Sequence, residues 1–147
     1  MGCVLSIIGE NLDIDAFAIK TKMAWDSVWY KGDAVNKVNP RKKKYSGVSI
    51  STSNSDFDDV KTQITQTIDF LNIHKEHLIH INTTPGIQYA TIDFGVDSII
   101  DEDHLTQGFF FPPALIKICA ELGIGIELSL YKPDMQVILE NQYQSKK

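Results

Sequence analysis

Apolar and polar positions divide the chain into well-marked elements. Cys3 to Gly9 is nearly continuous apolar sequence closed by a glycine, the pattern of a central strand. Asn11 and Asp13 are helix-capping types, and Ile14, Phe17, Ala18 and Thr21 follow at helical spacing, which predicts a short amphipathic helix over 13–23. Val28, Trp29 and Tyr30 favour a strand over 27–31 that stops at Gly32-Asp33, and Val48 and Ile50 alternate within a second strand over 45–53. The two make a long hairpin whose connection, 32–44, is expected at the surface.

Ser55 followed three residues later by Asp58 resembles a capping box. Behind it, Phe57, Val60, Ile64, Ile68 and Leu71 keep spacings of three and four, predicting a helix whose apolar stripe turns away from Lys61, Gln63 and Gln66. The stretch 73–82 fits both periods imperfectly and is read as a second short helix. A turn at Thr83-Thr84-Pro85-Gly86 leads to a strand over 87–94, with Ala90, Ile92 and Phe94 on one side, Tyr89 and Thr91 on the other, and Gly95 as its end. After an acidic loop over 96–108, Pro112-Pro113 opens and Gly123 closes a helix carrying Leu115, Ile118, Cys119 and Leu122. Ile124, Ile126, Leu128 and Leu130 then alternate with Gly125, Glu127, Ser129 and Tyr131 as a last strand, closed by Pro133. A peripheral tail over 132–147 carries a short strand or helix at 135–139.

The order β-α-β-β-α-β, extended by a C-terminal α-β, predicts an α+β two-layer sandwich with a ferredoxin-like split βαβ core. Its sheet is largely antiparallel, of about five strands, with helices on one face. The whole chain, 1–147, is expected to be one domain with its core over 3–131.

These elements resemble a family of small, mostly bacterial single-domain proteins classed as a domain of unknown function. The resemblance runs from Val4 to Tyr131. It is carried by Leu5-x-Ile7-x-Gly9 with Asp13 beyond it, the Lys31-Gly32-Asp33 turn, the helix over 57–71, and Phe109, Leu115, Ala120-x-Leu122-Gly123 and Tyr131. Family members often place a Trp at the start of the third strand, where this chain has Tyr45. The resemblance implies an α+β fold and brings no reaction, cofactor or catalytic residue with it.

Composition narrows the function classes. Of 147 residues, 43% are hydrophobic and 22% charged, enough to bury a core and unlike a disordered segment. Fourteen Lys and Arg against 19 Asp and Glu give net -5, which argues against a dedicated nucleic-acid binder. Two cysteines, Cys3 and Cys119, are too few for a disulfide framework, and the first residues lack a basic region and cleavage site, so a reduced, cytoplasmic protein is expected. No apolar run approaches the roughly 20 residues that span a bilayer. Gly2-Cys3-Val4-Leu5-Ser6 does satisfy a myristoylation pattern, but Val4, Leu5, Ile7 and Ile8 read as a buried strand rather than a free, extended terminus.

Three groups of residues carry candidate chemistry. His74, His77 and His80 lie at helical spacing, so two of them could share a metal ion with an outside carboxylate. The HExxH arrangement is absent, because no second His follows His77 at the required spacing. Asp97, Asp101, Glu102, Asp103 and His104 crowd one loop, with Asp93 on the preceding strand; their spacing fits no calcium loop, and they suit a solvated acidic surface that meets a basic partner. Trp25, Trp29 and Tyr30 on one side, with Phe109 to Phe111 on the other, exceed what a small core needs; an exposed subset would mark a partner or oligomer surface, and Trp25, Trp29 and Tyr30 are the candidates for a binding surface. The single basic run, Arg41 to Lys44, suits a local anionic contact. No Gly-x-Ser-x-Gly elbow and no glycine-rich phosphate loop occurs. The expectation is a non-enzymatic protein-interaction module without a cofactor, of immunity or antitoxin type, that binds a protein partner or itself and neither nucleic acid nor membrane. The rival is a small metal-dependent hydrolase using the histidines or the 97–104 loop.

Overall fold

Five strands form one sheet in the order β2-β3-β1-β4-β5: β1 (Cys3–Gly9), β2 (Ser27–Trp29), β3 (Ser46–Ser53), β4 (Tyr89–Asp97) and β5 (Gly125–Tyr131). The architecture comes from a computed structural model that describes residues 2–132 and Gln144. β1 is antiparallel to β3 and to β4, β2 is antiparallel to β3, and β5 is parallel to β4. Helix α1 (Ile14–Thr21) joins β1 to β2, while α2 (Val60–Ile73), α3 (Lys75–Leu78) and a 3-10 turn (Ile79–Thr83) join β3 to β4. Each of these crossovers skips one strand, giving the split βαβ core that the element order predicts. Helix α4 (Pro113–Leu122) carries the chain back along the sheet, so β5 enters parallel to β4, the one departure from an antiparallel sheet. The expected element at 135–139 lies outside the described residues.

The helices cover one face. Cys3, Leu5 and Ile7 of β1 and Ile92 and Phe94 of β4 are fully buried against Phe17, Leu71, Leu115 and Leu122. On the other face Ser6, Ser49 and Thr91 lie side by side, half-buried. This alternation fixes register, since a one-residue slip would exchange the two sets. Local signals hold the helices in place. The Asp13 carboxylate accepts the Ala16 N–H at 3.1 Å at the start of α1. Pro113 opens α4, and Gly123 closes it in the left-handed region at φ 71°.

Three expectations change. First, α2 begins at Val60 with Asp59 as its cap, accepting the Thr62 N–H at 3.0 Å; Ser55 and Asp58 do not cap it. Second, the buried face of α2 is Gln63, Ile64, Thr67 and Leu71, not the apolar stripe alone. Gln63 is fully buried because its amide donates to the carbonyls of Asp56 (2.9 Å) and Gly95 (2.8 Å), stitching the turn before α2 to β4. Thr67 is buried because its hydroxyl meets that of Thr52 at 2.8 Å. Third, Gly95 does not end β4, which runs on to Asp97. A side chain at Gly95 would strike the Phe57 ring at 2.7 Å. Phe57 precedes α2 and lies over β4, stacked on Tyr131 with centroids 4.7 Å apart.

Candidate functional site

The rotation of α2 leaves part of its apolar stripe only half-buried at the margin of the core, and this creates the site. Val60 and Ile68 are half-buried while Ile64 is buried, so the helix shows an apolar flank beside its core face. The segment before α4 supplies the opposite wall. Phe109 and Phe111 pack against the core, the latter 5.5 Å from Phe94 between centroids, which forces Phe110 outward to 78% exposure. Between Val60, Ile64 and Ile68 on one side and Phe110 and Pro112 on the other lies a cleft of about 440 Å³, completed by Lys61 and Thr65. An apolar trough with a cation and a hydroxyl at its margin receives an apolar side chain and pairs with a carboxylate or carbonyl beside it. The cleft opens at the end of the sheet where α2 and α4 begin. The triple Phe before Pro112-Pro113 is its sequence signal, since a core cannot take three successive side chains from one extended segment.

The acidic loop lies at the same end. Asp97 closes β4, and β4 ends beside the start of β1, with Phe94 opposite Cys3. Asp101 accepts the backbone N–H groups of Asp103 (2.9 Å) and His104 (2.7 Å) and faces His104 Nδ1 at 2.9 Å. The His104 contact, aided by these backbone bonds, holds the Asp101 carboxyl below its ordinary range. Gln107 ties the loop down by donating to the Asp97 carbonyl (2.9 Å) and accepting the Ile99 N–H (3.0 Å). Asp101 is thus a structural element of its loop, while Glu102 and Asp103 are exposed. The basic run lies at the opposite end, where β3 starts beside Gly9, in an exposed connection tied by an Ala34–Lys42 bridge.

The three aromatics proposed as a surface are scattered. Trp25 packs 5.9 Å from Phe17 and donates to Thr21 Oγ1 at 3.2 Å, so it seals the core beside α1. Trp29 lies half-buried on β2 under the Lys43 ammonium, 5.0 Å from its ring. Tyr30 is exposed, and its hydroxyl donates to Asp15 at 2.7 Å, which raises the phenol above its usual value. None of them lines the cleft.

His74 and His77 do come together, with rings 6.4 Å apart, and His74 lies 4.5 Å from Phe70. Among the described residues no group of three or more His, Cys, Asp or Glu side chains is placed to hold a metal ion. His80 therefore does not complete a set with the other two; it lies in the 3-10 turn, where its carbonyl accepts the Thr84 hydroxyl at 2.6 Å. Cys3 and Cys119 are free, buried thiols, each pushed up to about 11 chiefly by burial, which leaves neither as a nucleophile near neutral pH. Gly2 is built into the fold: its N–H donates to Ser53 (3.1 Å), its carbonyl accepts from Gly95 (2.9 Å), and a side chain there would strike the Ser55 carbonyl. Among the described residues no helix is long and apolar enough to cross a membrane.

Residues 1–133 match the family model of a domain of unknown function, DUF4279. The chain belongs to this family. The match covers the strands β1 to β5 and the helices α1 to α4, so the DUF4279 domain and the sheet with its helix layer are the same unit among the described residues. No curated protein and no solved structure matches the chain.

Proposed function

We propose that this DUF4279 domain is a non-enzymatic protein-interaction module of the cytoplasm, one that neutralises a basic partner by covering it, as immunity proteins and antitoxins do. The observation that carries this reading is the cleft between α2 and the Phe110–Pro112 segment, with Phe110 exposed although its two neighbours pack inward. A large exposed aromatic beside an apolar trough has the composition of an interface centre, which is rich in aromatics and poor in charge. The acidic loop at the same end supplies the charged margin that steers a basic partner toward the cleft. The free thiols, both buried, support a reducing compartment.

The test places a photo-crosslinking side chain at Phe110 in the full-length chain and irradiates it in native lysate. One stoichiometric adduct is expected, displaced by unmodified chain and lost when Ile68→Glu is added. Labelling no stronger than from the same group at Ile19, an exposed position outside the cleft, would sink the reading.

A further inference from the structure

We propose that two copies of this chain pair edge to edge through β5, doubling the sheet across a twofold axis at Leu128. The two edges of the sheet differ. β2 is only three residues long, and its two ends are closed by Asp26 and Asp33, whose carboxylates accept the N–H groups of Ser51 (2.7 Å) and Tyr30 (2.9 Å). β5 runs seven residues, Gly125–Tyr131, without proline, lysine or bulge, the devices that protect a sheet edge.

The ladder shows which groups are available. The Tyr131 carbonyl accepts the Ser98 N–H at 2.7 Å, one residue beyond its register partner Asp97, so Tyr131 turns its backbone groups toward β4. Backbone direction alternates along a strand, so Ser129 and Glu127 do the same, while Leu130, Leu128 and Ile126 turn theirs outward. Those three find no backbone partner among the described residues.

A twofold axis makes two identical edge strands antiparallel, and the side chains select its position. Centred on Leu128, the pairing sets Leu128 against its own copy and Ile126 against the second copy's Leu130, each a hydrogen-bonded pair. Their side chains then form one apolar row beneath both helix layers, which covers Leu130, half exposed in the single chain. On the open face Glu127 meets Ser129, and Tyr131, whose ring stays stacked on Phe57, falls opposite Gly125, which has no side chain to oppose it. Centred on Glu127, the same strands would set two carboxylates face to face, a disfavoured pair.

The experiment uses the full-length chain, with sedimentation equilibrium and amide hydrogen exchange followed over a range of concentrations. The expected result is a micromolar dimer in which the amides of Ile126, Leu128 and Leu130 gain protection as the dimer fills. Leu130→Lys should return the chain to a monomer with unchanged circular dichroism and leave those amides unprotected. A chain that stays monomeric overturns the proposal, as does protection of these amides that does not vary with concentration, which would mean an edge closed within one chain. A dimer that persists in Leu130→Lys also overturns it by placing the contact elsewhere. None of these outcomes depends on the cleft at Phe110.

Discussion

Cys3 and Cys119 approach one core from β1 and from α4, and burial makes both of them proton stores rather than nucleophiles. Each thiol has an ordinary value of 9.0 and is raised to about 11 in the fold. The unfolded chain therefore releases these protons first as pH rises. Their contribution to stability is complete below 9 and is lost as pH climbs toward 11. Urea titrations at mildly and strongly alkaline pH should show this fall, and Cys119→Ala should reduce it. Both thiols should also resist iodoacetamide until the chain unfolds. At this scale the sequence is readable where a side chain has one physical destiny. Asp13 as a helix cap and Gly123 as a helix stop follow from residue type and place. Gln63 does not. A glutamine reads as a surface residue because its amide must be paired, and its partners, the Asp56 and Gly95 carbonyls, become neighbours only after α2 docks on the sheet.

Helix α2 shows how an element can be recognised and still be misplaced. Its spacing of three and four is unmistakable, yet Phe57 extends that spacing into residues that are not helical, because a ring on the far side of β4 falls in phase with the stripe by accident. The start of the helix is settled by chemistry instead: Asp59 is the residue whose carboxylate reaches an unpaired N–H, that of Thr62. The Thr62 hydroxyl first, and then this N–H, hold the Asp59 carboxyl below the ordinary value, with the charge of Lys61 a lesser cause. Asp59→Ala should therefore lower the midpoint of chemical denaturation, while Ser55→Ala, at the capping-box position, should change it little. The same rotation that buries Gln63 and Thr67 leaves Val60 and Ile68 only half-buried, so the cleft and the difference in the buried stripe have one cause. A stripe wider than the face the core can cover is a legible sign of such a cleft, although the sequence does not show which flank stays open.

As a whole molecule, the chain bears out its element order, because split βαβ crossovers leave few ways to arrange these strands. The parallel entry of β5 also follows from a helix standing between two neighbouring strands. What the order cannot show is distance between loops. Net -5 hides the fact that β1 and β3 span the molecule with Arg41 to Lys44 near one end and the acidic loop near the other. Seven residues of strand are about 23 Å, two to three Debye lengths at physiological salt, so each end presents its own sign to an approaching surface. Among the described residues the basic run and the acidic loop thus stand at opposite ends of the strands. At neutral pH and physiological salt, where the acidic end is screened, the chain should be retarded on a cation-exchange resin despite its negative total, and Lys42→Gln with Lys43→Gln and Lys44→Gln should abolish that retention. On a charged support the chain would then stand upright, its acidic end turned to the solvent.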